Sequence, residues 1–261
     1  MSTPAQVTAS PRHSSWIWHY LPSVPEAFSS LLALVVVALF LHTFVLQPFL
    51  IPSESMERTL LVGDFLLVNK QVYAPAGSLT QRMLPYREVE RGDVVVFHYP
   101  EDPRRFLVKR VVGVPGDRLR IEDGRVTVNS VSLEEPYAAF EPAAPDPFRD
   151  NFPGTVYTDP NIDPAWWRQL QGLTQHGELV IPKDEYFVLG DNRNHSKDSR
   201  FWGLVARQAI VARPLVIYFS LSRPSSTDVE QAADDRLGHD RELSARLATF
   251  ARWKRIFHVV H

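Results

Sequence analysis

Hydrophobic and polar positions divide this chain into unlike parts. Between Leu31 and Leu46 apolar residues run almost unbroken, with only His42 and Thr43 interrupting them. Taken from Ser29 toward Ile51, the run reaches the ~20 residues that a helix needs to cross a ~30 Å hydrocarbon core. Leu-Leu-Ala-Leu-Val-Val-Val-Ala-Leu-Phe-Leu has no polar face, which suits a bilayer better than a protein core. No small-residue cleavage site follows it, so a retained anchor is expected rather than a removed leader. The pattern predicts a transmembrane helix over 29–48, after a short lead over 1–28 carrying Pro4, Pro11, Pro22 and Pro25.

Past Pro52 the period becomes that of strands. Phe65-Leu66-Leu67-Val68, Asp93-Val94-Val95-Val96-Phe97 and Leu215-Val216-Ile217-Tyr218-Phe219 are short β-branched or aromatic runs bounded by turn residues. Leu119-Arg120-Ile121 and Val126-Thr127-Val128 alternate around Asp123-Gly124, which predicts a tight hairpin. Glu185 to Leu189 reads as a strand running into the turn Gly190-Asp191-Asn192. The fold class is therefore mainly β: an N-terminal transmembrane helix, then a compact, barrel-like antiparallel β domain over 49–223.

Within that domain, residues 134–183 are crowded with proline and read as an irregular insert grafted on the β core. Asp163-Pro164 offers a helix cap and first turn there. Trp166 and Trp167 behind it either pin the insert to the core or meet a membrane surface. The tail over 224–261 is polar, then basic and amphipathic. Leu243, Leu247, Phe250 and Phe257 fall near helical spacing among Arg246, Arg252, Lys254 and Arg255, for docking on the core or on anionic lipid.

Composition narrows the chemistry. A formal net charge of −2 over 261 residues gives no electrostatic reason to expect nucleic acid. Cysteine is absent, which removes disulfides, thiolate metal sites and a cysteine nucleophile. The nine histidines have no metal-ligand spacing and no phosphate-binding glycine loop occurs, so neither metal nor cofactor is expected. What remains is Ser53-Glu54-Ser55-Met56 directly after the apolar run, and Lys109 on a later strand. A serine nucleophile needs a base, and a lysine serves if burial keeps it neutral.

Four segments in order carry a resemblance. They are Phe49-Leu50-Ile51-Pro52-Ser53-Glu54-Ser55-Met56-Glu57-Arg58-Thr59-Leu60, Arg91 to Phe97, Lys109-Arg110-Val111-Val112-Gly113-Val114-Pro115-Gly116-Asp117, and Gly190 to Gly203. Behind a membrane span, this set resembles the type I signal peptidases, membrane-bound Ser–Lys proteases that remove leader peptides from exported proteins. The resemblance implies Ser55 as nucleophile and Lys109 as general base. It implies an oxyanion hole from the Ser55 amide and the Ser53 hydroxyl, and Ser196 as the residue that orients the lysine. Asp191, Asp198 and Arg200 are expected to brace the last box. Arg58 stands where the family usually has proline, which bears on the rigidity of the turn rather than on the chemistry.

Members of that family cut after small residues in an Ala-x-Ala pattern. Phe49, Ile51, Met56, Leu60 and Leu107 are the candidate walls of pockets that would select them, and each serves equally well as plain core. The implied partners are exported preproteins and membrane lipid, and a monomer is expected. The implied location is the bacterial inner membrane, single-pass, with the catalytic domain on the outer side. Arg12 is the only fixed positive charge before the span, so charge gives little help with orientation. Two alternatives stand beside this reading: an inactive, membrane-tethered protein that holds export substrates, and a self-cleaving Ser–Lys regulator.

Overall fold

A computed structural model describes residues 24–40, 46–73, 87–154, 159–222 and 250–260. The chain divides into two units, Met1–Thr43 and Phe44–His261. In the first, helix α1 covers Val24–Phe40, and its apolar residues from Phe28 to Leu39 are exposed. At 1.5 Å per residue it is roughly 25 Å long. Among the described residues no helix is long and apolar enough to cross a membrane. The expected helix over 29–48 is cut short at its far end, because Leu46–Leu50 form a strand, β1. Pro48 lies in it; an edge strand tolerates a residue that has no N–H to give. The lead up to residue 23 lies outside the described residues.

The second unit is mainly β. After β1 come β2 (Asp64–Asn69), β3 (Val94–His98), β4 (Phe106–Gly113), β5 (Arg118–Glu122), β6 (Arg125–Val128) and β7 (Val131–Ser132). Then follow α2 (Pro147–Asp150), α3 (Pro164–Leu173), β8 (Thr174–Gln175), β9 (Glu178–Val180) and β10 (Glu185–Leu189). α4 (Ser199–Trp202), β11 (Val205–Ala206), β12 (Ile210–Ser220) and β13 (His258–Val259) complete the order. One antiparallel sheet runs β1-β2-β12-β3-β4-β10-β11, with β13 also on β12. Register shifts in β12 and β10 bend this sheet into a curled half-barrel. Val94, Val95, Val96 and Phe97 are all buried, so β3 is covered on both faces and reads as a continuous apolar run.

The second sheet, β7-β6-β5-β9-β8, is built around the expected hairpin. Asp123 and Gly124 both take positive φ, 48° and 77°, which a two-residue loop between twisted strands requires. The insert is more ordered than its prolines suggest, since β8 and β9 extend this sheet. Asp163 caps α3 through bonds to the Ala165 and Trp166 amides, with Pro164 at the first helical position. Trp166 is buried and donates from its indole to the Arg200 carbonyl at 3.1 Å, and Trp167 packs on Phe148. The insert is thus pinned to the fourth of the sequence boxes.

Of the tail, the structure describes residues 250–260, and past Phe250 these do not continue as a helix. Leu243 and Leu247 lie outside the described residues, whereas Trp253–Arg255 is a single 3₁₀ turn and β13 pairs with β12. Phe257 takes φ 63° and is exposed, so it lies on no helix face. Two arginines of this segment reach beneath the chain that follows Ser55. Arg255 binds the buried Asp64 carboxylate at 3.1 and 2.6 Å and the Thr59 carbonyl at 3.0 Å. Arg252 donates to the Val62 and Leu221 carbonyls at 2.5 and 2.8 Å.

Burial alone would raise the Asp64 carboxyl, but Arg255, Ser220 and the Leu61 amide outweigh it and hold it below the ordinary value. Its contribution to stability is therefore complete above the ordinary carboxylate range and is lost as pH falls through the depressed value. Replacing Arg255 by alanine leaves Asp64 buried with only Arg252 nearby, and is expected to cost about 3 kcal/mol in urea denaturation at neutral pH. The loss should shrink in acid, where Asp64 protonates.

Candidate active site

Local geometry around Ser55 follows from its sequence. Ile51 and Met56 are buried in the same apolar cluster as Leu60, so the chain between them is anchored at both ends. Glu54–Met56 makes one 3₁₀ turn, which lifts Ser55 out of that cluster. Ser53 precedes the turn in extended conformation, exposed, with no side-chain bond to the amides behind it. Beyond Ser55, Arg58 takes φ 84°, a value the proline ring cannot reach, and donates to the Ala138 carbonyl at 3.0 Å. The departure at this position is thus a different turn, fixed from outside by the arginine.

Lys109 arrives from β4, opposite Val95 of β3. Its Nζ lies 2.5 Å from Ser55 Oγ, and its side chain is almost completely buried. Burial pushes the ammonium down to about 8 from its ordinary value; Asp198 and Asp191 oppose that shift and Arg200 adds to it. The shift favours the neutral amine, the form able to take a proton from the hydroxyl it touches.

The fourth box closes round the pair from a second direction. β10 pairs with β4, which brings Asp191 under Arg110 in a two-pronged ion pair of 2.9 and 2.8 Å. Thr59 donates to the same carboxylate at 2.5 Å. Asp198 and Arg200 form a second such pair, at 2.8 Å for both bonds, and Asp198 accepts the Gly190 amide at 3.1 Å. Burial would raise the Asp198 carboxyl, yet Arg200 and Lys109 together hold it below the ordinary range. Arg200 also donates to the Arg193 carbonyl at 2.8 Å, which ties the box to itself.

Ser196 is buried; its Oγ makes no hydrogen bond of good geometry among the described residues, yet its hydroxyl lies near enough to Asp198 to help hold that carboxyl down. Ser196 is not bonded to Lys109 here. It lies against Gly190, whose place admits no side chain: a Cβ there would run into the Ser196 side chain and the Ser55 carbonyl. Asn192 donates its amide to that carbonyl at 3.2 Å.

A groove of about 360 Å³ runs past the pair. One wall is the stretch Phe49 to Met56, the other is Phe106 to Lys109, and Glu54, His195 and Lys197 bring charge and polarity to its lining. Of the five residues expected as walls, Phe49, Ile51, Met56 and Leu107 line it; Leu60 does not and is wholly buried. Sequence reasoning missed Arg110, Thr59 and Gly190. Arg110 was visible only as a basic neighbour of Lys109, and nothing along the chain indicated a partner 81 positions away.

Residues 24–219 match the family described as "Signal peptidase, peptidase S26". The chain belongs to this family. It is 33% identical to the signal peptidase I of Pseudomonas fluorescens over 218 residues, covering 78% of this chain and 75% of that protein. It is 34% identical to the signal peptidase I of Aquifex aeolicus, over 77% of this chain and 86% of that one. A signal peptidase I crystal structure from Enterococcus faecalis superposes with a TM-score of 0.37 at 28% identity, covering 49% of this chain and 97% of that one.

If the Gly190 contact fixes the Ser55 backbone, Gly190→Ala should lower peptidase turnover by about 10²-fold through displacement of a reacting group. Circular dichroism should show the fold retained.

Proposed function

We propose that the protein is a membrane-anchored endopeptidase that removes N-terminal signal peptides from exported preproteins, with Ser55 as nucleophile and Lys109 as general base. The observation that carries this reading is the 2.5 Å contact between Lys109 Nζ and Ser55 Oγ, made by a lysine whose ammonium burial pushes down to about 8. A buried amine on a serine hydroxyl is of little use to a passive binding protein.

The groove suits an extended peptide. β1 is an edge strand paired only with β2, and Phe106 to Lys109 of β4 are paired with β3 on one side only. Two open backbone edges can add a substrate strand between them by main-chain hydrogen bonds. Neutral Lys109 then takes the Ser55 proton as Oγ bonds to the scissile carbonyl carbon. The resulting oxyanion is received by the Ser55 amide and the Ser53 hydroxyl, which is free of the turn behind it. The C–N bond breaks as Lys109 returns its proton to the leaving amine. Water attacks the acyl-serine with Lys109 again as base, and Ser55 regains its proton.

Ser196 serves to orient the lysine, a bond it makes once the buried hydroxyl swings from its present position. Asp191, Asp198 and Arg200 hold the frame. Phe49, Ile51, Met56 and Leu107 shape the groove so that bulk is excluded beside the cut, which favours small residues in an Ala-x-Ala pattern. No cofactor or metal takes part, and the unit works as a monomer. The apolar run that includes α1 anchors it in the bacterial inner membrane, with residues from Pro52 onward outside the cytoplasm. Ser55 so close behind the anchor meets a signal peptide held in the same bilayer, which raises its effective concentration.

Ser55→Ala and Lys109→Ala should each abolish cleavage of a peptide spanning an Ala-x-Ala junction, and the double variant should be scarcely worse than either. Because the base works only when neutral, kcat/KM should rise with pH through about 8 and level above it. Substantial turnover by Lys109→Ala, or a profile set by His195 or His98, would refute the dyad. For location, protease added to spheroplasts should degrade the chain from Pro52 onward and spare residues before about Ser29, by the ~30 Å span of the bilayer core. Protection until the membrane is opened would reverse the orientation.

A further inference from the structure

The segment following β7 meets the site from behind at every part. Glu135 forms a two-pronged pair with Arg193, at 2.7 and 2.6 Å, and both side chains are almost out of solvent. The Ala139 amide donates to the Asp191 carbonyl at 2.7 Å, and the Arg193 amide to the Ala139 carbonyl at 2.8 Å. Arg58, three residues past Ser55, donates to the Ala138 carbonyl. At the centre, the Tyr137 ring lies over the Arg110 guanidinium, 4.0 Å from its carbon to the ring centroid.

That stacking fills a role the hydrogen bonds cannot. Arg110 adjoins Lys109 on β4, and its edge donors reach Asp191 after β10, the Gly92 carbonyl before β3 and Thr59 after the nucleophile turn. In-plane bonds fix the guanidinium against sliding but resist tilting weakly. An aromatic face parted by about 4 Å restrains the plane and shields those bonds from water, and guanidinium on an aromatic ring is itself attractive. Arg110 thus joins the strand of Lys109, the box of Asp191 and the turn of Ser55 through its own donors, and Tyr137 covers it.

We infer that Tyr137 is a positioning residue for the Ser55–Lys109 pair: by clamping the Arg110 plane, its ring holds the nucleophile turn and the base strand in mutual register. The inference rests on the dyad reading above. The ring does the clamping, and the Tyr137 hydroxyl, which donates to Glu135 at 3.1 Å, is not required for it.

The test uses the full chain in detergent micelles and a peptide with an Ala-x-Ala junction, assaying Tyr137→Ala, Tyr137→Leu and Tyr137→Phe beside Ser55→Ala. The alanine and leucine variants should lose at least about tenfold in kcat, as small misplacements of reacting groups do, with KM within about twofold of wild type. Tyr137→Phe should match wild type in both constants within about twofold, since it keeps the aromatic face. Leucine keeps the bulk and guards against a collapse of the alanine variant. Wild-type kcat in a folded Tyr137→Leu or Tyr137→Ala overturns the inference, as does a tenfold loss in Tyr137→Phe. Either result leaves the dyad intact as long as Ser55→Ala is inactive; activity in Ser55→Ala would instead strike the dyad itself.

Discussion

A lysine amine held out of water against a serine hydroxyl is the constraint on which the rest of this site depends. An ammonium resists burial, and any unbalanced carboxylate nearby would restore it. The protein needs acids here to build its turns, and it meets both demands by giving each one an arginine. Asp191 is taken by Arg110 and Asp198 by Arg200, each through two bonds, so the surroundings of Lys109 hold paired charge rather than an excess of negative charge. Burial remains the largest influence on Lys109, and it acts toward the neutral amine.

These pairs also carry mechanical meaning. Buried ion pairs are costly to form, and their common benefit is to fix one arrangement among several. Here they join segments that the chain brings in from far apart. Gly190 shows how closely: its missing side chain is what allows the fourth box to press on the Ser55 carbonyl. The tail supports the same arc from beneath, where Arg255 joins Asp64 to the Thr59 carbonyl while Thr59 gives its hydroxyl to Asp191. Insert and tail, the two regions whose compositions look least like a β domain, both end on the residues that hold Ser55.

Much was legible along the chain because it is local. Strands β2, β3, β5, β6 and β10 are written in alternating or continuous apolar runs, and Asp123-Gly124 permits only a tight turn between its neighbours. Asp163-Pro164 marks the start of α3 for the same reason, since a cap acts within one turn. Local readings failed where a long-range partner overrode them. Leu46 to Leu50 continue an apolar run, yet β2 pairs with them and draws them into the sheet. Phe257 falls at helical spacing from Phe250, but β12 offers an open edge to the end of the tail, and backbone pairing at Val259 and His258 takes precedence. β8 and β9 are two and three residues long, too short for any period to show.

By itself the sequence determined the longer strands and the hairpin, the family resemblance, and the residue types that a Ser–Lys chemistry needs, because propensity, turn chemistry and motif order are properties of neighbours in the chain. Only the tertiary structure decided which of those residues touch. Strand order puts β10 beside β4, and from that one adjacency follow the Arg110–Asp191 pair, the approach of Gly190 to Ser55 and the enclosure of Lys109. It also decided that Leu60 belongs to the core and that Tyr137 lies on Arg110. Contacts between residues tens of positions apart depend on the sheet's order and register, and no spacing along the chain encodes either.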